Sequence, residues 1–180
     1  IMITSPGAVN GPKPERMGHQ MENSRAINRP DVIDATRYQR MAADPRATRL
    51  ASANAGSGKT KVLVERVSRL LLDGADPDKI LCLTYTKAAA SEMQSRLFQT
   101  LGDWSVIGEG DLNKALDKLL GEKQSRDAEK LGEARKLFAR ALETPDGLKV
   151  QTIHAFCERI LSRFPIEAGI LPGFDAMDDA

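Results

Sequence analysis

The sequence has few cysteines, few aromatic residues and no excess of charge of either sign. Its 180 residues include only two cysteines, Cys82 and Cys157, and 4% aromatic residues. Lys and Arg total 26 against 25 Asp and Glu, which gives a formal net charge of +1. A disulfide framework is therefore not expected, because both cysteines lie in apolar stretches that suit buried thiols. A global electrostatic attraction to nucleic acid or anionic membranes is excluded as well, so any polyanion contact must be local.

Long hydrophobic runs are also absent. No stretch approaches the roughly 18 apolar residues that a membrane-spanning helix needs, and the first residues lack a continuous apolar segment with a cleavage site. We therefore expect a reducing, cytoplasmic location and no membrane partner. The 41% of hydrophobic residues is enough for one buried core in a chain of this length.

The composition changes after the first thirty or so residues. Residues 1–33 are rich in Pro, Gly and Asn and show neither helical nor strand periodicity, which predicts a disordered leader. A short helix is expected to begin near Asp34 or Thr36 and to end by Asp44 and Pro45, because proline disfavours helical backbone in the residue before it.

Residues 34–180 are predicted to form an α/β domain with a parallel sheet flanked by helices. The predicted strands cover 48–52, 80–85 and 148–153, and each is followed by a helix. The second strand is apolar on both faces, as expected of a central parallel strand covered by helices above and below. A helical insertion over about 108–147 separates the last two strands.

Apolar spacing of three and four residues predicts which side of each helix faces the core. The first long helix should stop at Asp73 and Gly74, and Thr86 is a candidate cap for the next one. The positions predicted to face inward are, helix by helix, Leu63, Val67, Leu70 and Leu71; Met93, Leu97, Leu101 and Trp104; Leu112, Ala115, Leu116 and Leu119; Leu131, Ala134, Leu137, Phe138 and Ala141; and Phe156, Ile160, Leu161 and Phe164.

A phosphate-binding loop follows the first predicted strand. The pattern G-x-x-x-x-G-K-[ST] is matched at every fixed position except the first glycine, which is alanine. The eight residues are Ala53, Asn54, Ala55, Gly56, Ser57, Gly58, Lys59 and Thr60. Loop amides and the N-terminus of the next helix would converge on a polyphosphate, Lys59 would neutralise the β- and γ-phosphates, and the Thr60 hydroxyl would be a Mg²⁺ ligand. The loop therefore predicts nucleotide binding, with Lys59 and Thr60 as the catalytic residues.

Three further segments resemble motifs of the superfamily 1 DNA helicases. Tyr38 and Gln39 resemble the Q motif, the run from Ile80 to Met93 resembles motif Ia, and the run from Thr152 to Phe156 resembles motif Ib. The resemblance covers about residue 34 to the end. Motif Ia departs from the UvrD pattern at Lys87, where those helicases carry asparagine followed by lysine. The helical insertion and the loop sequence favour the AddA and RecB branch, and specifically the AddA family of helicase subunits from AddAB helicase-nucleases.

The resemblance implies a P-loop NTPase fold, here part of a RecA-like 1A domain, that uses ATP and Mg²⁺. It implies that Gln39 reads the adenine edge, for which an amide is suited because it pairs with both N6 and N7. It places single-stranded DNA at the ends of the second and third strands. The implied DNA-binding residues are Thr84, Tyr85, Thr86, Lys87, Thr152, His154 and Phe156.

The chemistry of the implied DNA-binding residues suits a sequence-independent contact. Tyr85 and Phe156 have flat faces for base stacking, and the hydroxyls and a neutral His154 can hydrogen-bond phosphate. Phe156 fits the core equally well, because it shares a helical face with Ile160 and Phe164.

For the full-length protein, the family implies an ATP-driven 3′-to-5′ helicase and exonuclease that acts on single strands and duplex ends in double-strand break repair, with an AddB-like partner protein. The family's Walker B carboxylates lie downstream of motif Ib, and none is found here. The acidic residues 175–179 lack the preceding apolar strand that would aim a carboxylate at Mg²⁺. We therefore expect that the 180 residues alone bind nucleotide weakly and hydrolyse it negligibly, and that the nuclease residues lie elsewhere.

Two other interpretations fit parts of the sequence. In a small P-loop kinase, the insertion would be a lid whose arginines Arg126, Arg135 and Arg140 face the phosphates. In a non-catalytic scaffold, the fold would serve only for interactions, and the missing Walker B motif agrees with this interpretation.

Overall fold

A computed structural model describes residues 2–3, 30–52, 56, 58–123, 125–145, 147–171 and 173–174. Along the chain these residues form β1 (Met2–Ile3), α1 (Pro30–Ala42), β2 (Arg49–Leu50), α2 (Lys59–Leu72), a 3₁₀ turn (Pro77–Lys79), β3 (Leu81–Thr84), α3 (Lys87–Val106), α4 (Glu109–Leu120), α5 (Ala128–Glu143), β4 (Lys149–Thr152) and α6 (Ile153–Arg163). The predicted α/β class and the predicted order of elements are confirmed. Within the described ranges, no helix combines the length and apolar character needed to span a membrane.

The first helix begins earlier than predicted. It starts at Pro30, where a proline is favoured because the first helical N–H has no partner within the helix. The predicted leader, residues 1–33, therefore overlaps α1, and its residues Met2–Ile3 form a strand. The rest of the leader and the acidic residues 175–179 lie outside the described residues.

The hydrophobic core lies among helices α2 to α5. The predicted inward side of α3 is confirmed, since Met93, Leu97, Leu101 and Trp104 are all buried. The two insertion helices contribute a comparable share of the core. Their buried residues are Leu112, Leu116, Leu119, Leu131, Ala134, Leu137 and Ala141. The insertion is therefore part of the core, and its α5 packs along α3.

Helix α2 is buried over a wider face than predicted. Val67 and Leu71 are buried as expected, whereas Leu63 and Leu70 are only partly buried. The other buried positions of the helix are Val62, Val64, Arg66, Ser68 and Arg69. Periodicity missed the arginines because a buried charge has no apolar signature, and their burial depends on acceptors that lie elsewhere in the chain.

The predicted helix boundaries agree with the observed ones. The N–H of Ala75 donates to the Leu70 carbonyl (2.9 Å) and the N–H of Gly74 to the Leu71 carbonyl (3.1 Å), which is the Schellman pattern. Gly74 has a φ of 90°, which explains why glycine stands at this stop. At the start of α3, the Thr86 hydroxyl accepts a hydrogen bond from the Ala89 N–H (3.1 Å), as predicted for a cap.

Strands β3 and β4 form a parallel pair whose register aligns Leu81 with Lys149 and Thr84 with Thr152. Strand β2 pairs antiparallel with β1. The prediction that helices cover both faces of the second strand was wrong, because Leu81 is 43% exposed and the rest of β3 is only half-buried. An apolar sequence shows that a strand can be covered, but the covering elements must be present in the same structure.

The last helix also differs from its prediction. Ile160, Leu161 and Phe164 are between 38 and 49% exposed, and Phe156 is half-buried. Helix α6 touches β3 and β4, but none of its residues is buried. The prediction that this apolar side faces the core was therefore wrong, since periodicity identifies the side but not what packs against it.

Candidate nucleotide and nucleic-acid sites

The phosphate-binding loop has the backbone that its glycines predict. Gly56 and Gly58 have φ angles of 78° and 84°, in the left-handed region where a side chain is strained. Gly58 is the N-cap of α2, and its carbonyl accepts from the Val62 N–H (3.0 Å), which begins the helix at once. Of the other loop residues, Ala53, Asn54, Ala55 and Ser57 lie outside the described residues.

The N-terminus of α2 is electropositive. Its first turn contains Lys59, Thr60 and Lys61 and no acidic residue. The helix dipole places partial positive charge on the same amides, so both effects attract an anion. Lys59 and Thr60 are half-buried directly after the Gly58 turn. These residues fit a magnesium-bound triphosphate, since they combine backbone donors, a cation and a hydroxyl on one turn.

The predicted base-reading residue lies against this loop. A Cβ atom placed on Gly58 would come within 3.2 Å of the Gln39 side-chain Nε2. Gln39 belongs to the last turn of α1, so a residue nearly twenty positions upstream in sequence is next to the loop. The structure thus brings together the two segments that the sequence predicted to hold opposite ends of one nucleotide. A larger residue at position 58 would push this amide away.

The second predicted site lies at the carboxyl ends of β3 and β4. The parallel register makes Thr84 and Thr152 neighbours, so the turns that follow the two strands are adjacent. The Thr84 hydroxyl donates to the Thr86 carbonyl (3.0 Å), and a longer contact of 3.5 Å joins it to the Gln151 carbonyl. These hydrogen bonds connect both turns and fix their shape.

Two predicted threonines act as helix caps at this edge. Thr86 caps α3, and the Thr152 hydroxyl accepts from the Ala155 N–H (3.1 Å) at the start of α6. Thr152 is buried, whereas Thr86 is exposed. A capping hydroxyl still carries one proton to donate, so exposed Thr86 keeps a donor for phosphate. Buried Thr152 chiefly orients the turn that carries His154.

The exposed groups of this edge form an aromatic pair. The rings of Tyr85 and His154 have centroids 5.9 Å apart and planes at 68°, an edge-to-face arrangement. Tyr85 is 80% exposed, and both His154 and Lys87 are exposed. The predicted stacking face is therefore open to a ligand, with a cation one turn away. Phe156 is half-buried, which leaves its two predicted roles, stacking and core packing, both open.

The arginines of the insertion have structural partners. Arg126 pairs with Asp117 (2.6 Å) and also donates to Asn113. Arg135 donates to the Ser105 and Ile107 carbonyls at the end of α3 (3.2 and 2.8 Å), and Arg140 pairs with Asp76. The insertion is also packed into the core. This geometry does not support a kinase lid, which would need mobile helices and arginines directed at the phosphates.

Comparisons with known proteins agree with the two sites. The family model described as UvrD/REP helicase N-terminal domain matches residues 35–180. Curated relatives that are named as one of the subunits of an ATP-dependent helicase/nuclease include a protein from Enterococcus faecalis, 36% identical over 72% of this chain and 9% of the relative. Another, from Exiguobacterium sibiricum, is 35% identical over 82% of this chain and 11% of the relative. The chain thus spans only about a tenth of the length of these relatives. No solved structure matches it.

Proposed function

We propose that this chain, which belongs to the UvrD/REP helicase N-terminal domain family, is the ATP-binding portion of a DNA helicase. The observation that carries the proposal is the contact between the Gln39 amide and the Gly58 turn. It places a base-reading group beside a phosphate-binding loop. The fold is that of a P-loop NTPase, and the loop begins the helix that carries Lys59 and Thr60.

Each part of the nucleotide has a partner in this arrangement. Loop amides and the N-terminus of α2 would hold the phosphates, with the Lys59 ammonium against the β- and γ-phosphates. The Gln39 amide would pair with adenine through one donor and one acceptor. Mg²⁺, held by the Thr60 hydroxyl and the phosphates, would supply charge neutralisation. The Walker B carboxylate needed for hydrolysis is not among these residues, so we expect the chain alone to bind ATP with negligible turnover.

The edge formed by Tyr85 and His154 would bind single-stranded DNA. An exposed aromatic face stacks on any base, and Thr86 and Lys87 add a donor and a positive charge for the backbone. None of these groups selects a particular base. A helicase that moves along DNA needs this kind of contact, because it meets every sequence. The near-zero net charge agrees with a small local site.

For the whole protein we propose the activity that the relatives' name states, an ATP-dependent helicase/nuclease. The direction would be 3′ to 5′, with exonuclease activity, and the substrates would be single strands and duplex ends at double-strand breaks. Because the relatives are named as subunits, a complex is supported, for which we propose an AddB-like partner. The location would be cytoplasmic.

Titration with a fluorescent ATP analogue and Mg²⁺ tests the nucleotide site. Lys59→Ala should weaken binding by about 10- to 150-fold, because it removes a charged contact of about 1.5–3 kcal/mol to phosphate. Lys61→Ala is the matched control. Lys61 lies two residues further along the same turn and is exposed, so its loss should change affinity less than about threefold. Equal effects of the two substitutions, or none from either, would refute the phosphate loop assignment.

A further inference from the structure

Two buried arginines of α2 hold the C-terminal end of α1. The first, Arg66, donates from Nη1 to the carbonyls of Ala42 (3.4 Å) and Asp44, and from Nη2 to those of Pro45 (3.4 Å) and Ala47 (3.0 Å). All four acceptors belong to the last residue of α1 or to the turn after it. One guanidinium therefore collects the carbonyls that the end of a helix leaves without partners.

The second arginine, Arg69, links α1 to the insertion. Its Nη1 donates to the Arg40 carbonyl in the last turn of α1 (3.2 Å), and its Nη2 donates to the Leu119 carbonyl near the end of α4. The Arg40 side chain lies over Gly121, where an added Cβ would come within 3.3 Å of its Cδ. The end of α1 is thus fixed from two directions, by α2 and by α4.

Both guanidiniums are costly to bury. Arg66 is 3% and Arg69 7% exposed, and neither forms an ion pair with a carboxylate of the described residues. Burial lowers the pKa of both groups, which the charge of Asp44 partly opposes at Arg66. The carbonyl acceptors and the negative end of the α1 dipole offset the desolvation. A leucine would fill the space without this cost, so the arginines supply directed hydrogen bonds that packing does not.

The carbonyls that they hold surround the base-reading residue. Gln39 precedes Arg40 directly, and its own carbonyl accepts from the Ala43 N–H (2.9 Å) in the same final turn. Any rotation or sliding of α1 would carry the Gln39 amide away from Gly58. A displacement of about 1 Å is enough to lose a bidentate hydrogen bond.

We propose that Arg66 and Arg69 are positioning residues that fix the Gln39 amide relative to the phosphate loop and thereby set the preference for adenine over guanine. The inference rests on the proposed function, since it requires that Gln39 reads the base. Arg66 and Arg69 themselves touch neither base nor phosphate. Their effect should therefore appear in base discrimination and not in the affinity for the triphosphate group.

The experiment measures dissociation constants of fluorescent ATP and GTP analogues for the 180-residue chain and its variants. Arg66→Met should reduce the preference for ATP over GTP by about 5- to 150-fold, the discrimination that one bidentate base contact provides. Gln39→Ala should reduce it equally, and Arg66→Lys should restore only part of it. Arg135→Met is the matched control, because Arg135 holds the end of α3 through the same kind of hydrogen bonds away from the loop. It should leave the ratio unchanged.

The outcomes separate this inference from the proposed function. If Gln39→Ala lowers the ratio and Arg66→Met does not, the positioning role is refuted while ATP binding stands. If Gln39→Ala leaves the ratio unchanged, the base-reading assignment itself fails, and the positioning role fails with it. Should Arg66→Met not fold, Arg69→Lys serves instead, with hydrogen exchange as a second measurement. The amides of residues 36–43 should then exchange faster while those of α3 and α5 do not, and uniform acceleration would overturn the inference.

Discussion

Tyr85→Ala separates nucleic-acid binding from folding. The tyrosine side chain is 80% exposed, and its one described ring contact is the edge-to-face pair with His154. Losing that pair costs about 0.5–1.5 kcal/mol of stability at most. A base stacked on the ring contributes about 1–3 kcal/mol, so the dissociation constant for single-stranded DNA should rise about 5- to 150-fold. Binding should therefore weaken strongly while the protein stays folded.

Fluorescence anisotropy with a labelled mixed-sequence oligonucleotide measures the first effect, and a thermal melt measures the second. Tyr38→Ala is the matched control, because Tyr38 is the other tyrosine, is 67% exposed and lies on α1. It should leave DNA affinity within about twofold. The reasoning is refuted if both substitutions weaken DNA binding equally, or if Tyr85→Ala leaves the affinity unchanged in a folded protein.

Two further predictions concern the fold. Burial raises the pKa of the Cys82 thiol to about 11, whereas Cys157 is exposed, so at pH 8 a thiol reagent should modify Cys157 at least about a hundredfold faster; comparable rates, read by mass spectrometry, would contradict the packing of β3. Gly74→Ala should lower the free energy of unfolding by about 1–2 kcal/mol because of its positive φ, although an added Cβ meets no neighbour; Gly132→Ala, inside α5 and equally open, should stabilise by about 0.5–1 kcal/mol, and denaturant titration showing the same sign for both would refute this.

Local signals in the sequence predicted local structure well. The spacing of Met93, Leu97, Leu101 and Trp104 identified the buried side of α3, and the hydroxyl of Thr86 caps the same helix as expected. Such features depend on residues three or four apart, so a single segment contains all the information. The phosphate loop is predictable for the same reason, since its glycines and lysine are contiguous.

Features that depend on distant segments were missed. Arg66 is buried because carbonyls some twenty residues upstream receive its donors, and nothing in the local pattern of α2 indicates this. Phe164 and its neighbours on α6 form an apolar side, but the described residues provide no cover for it. The contact of Gln39 with Gly58 followed from the family resemblance and from no property of either segment alone. Its confirmation as a base contact needs a bound nucleotide.

The most direct test of the nucleotide cradle is a nuclear magnetic resonance titration of the isotope-labelled chain with a non-hydrolysable ATP analogue and Mg²⁺. The largest shifts should occur at the backbone amides of Gly56, Gly58, Lys59 and Thr60 and at the side-chain amide of Gln39. A GTP analogue should move the loop amides similarly but the Gln39 side chain less. If the strongest shifts fall elsewhere in the chain, or if Gln39 does not respond while the loop does, the proposed binding mode is contradicted.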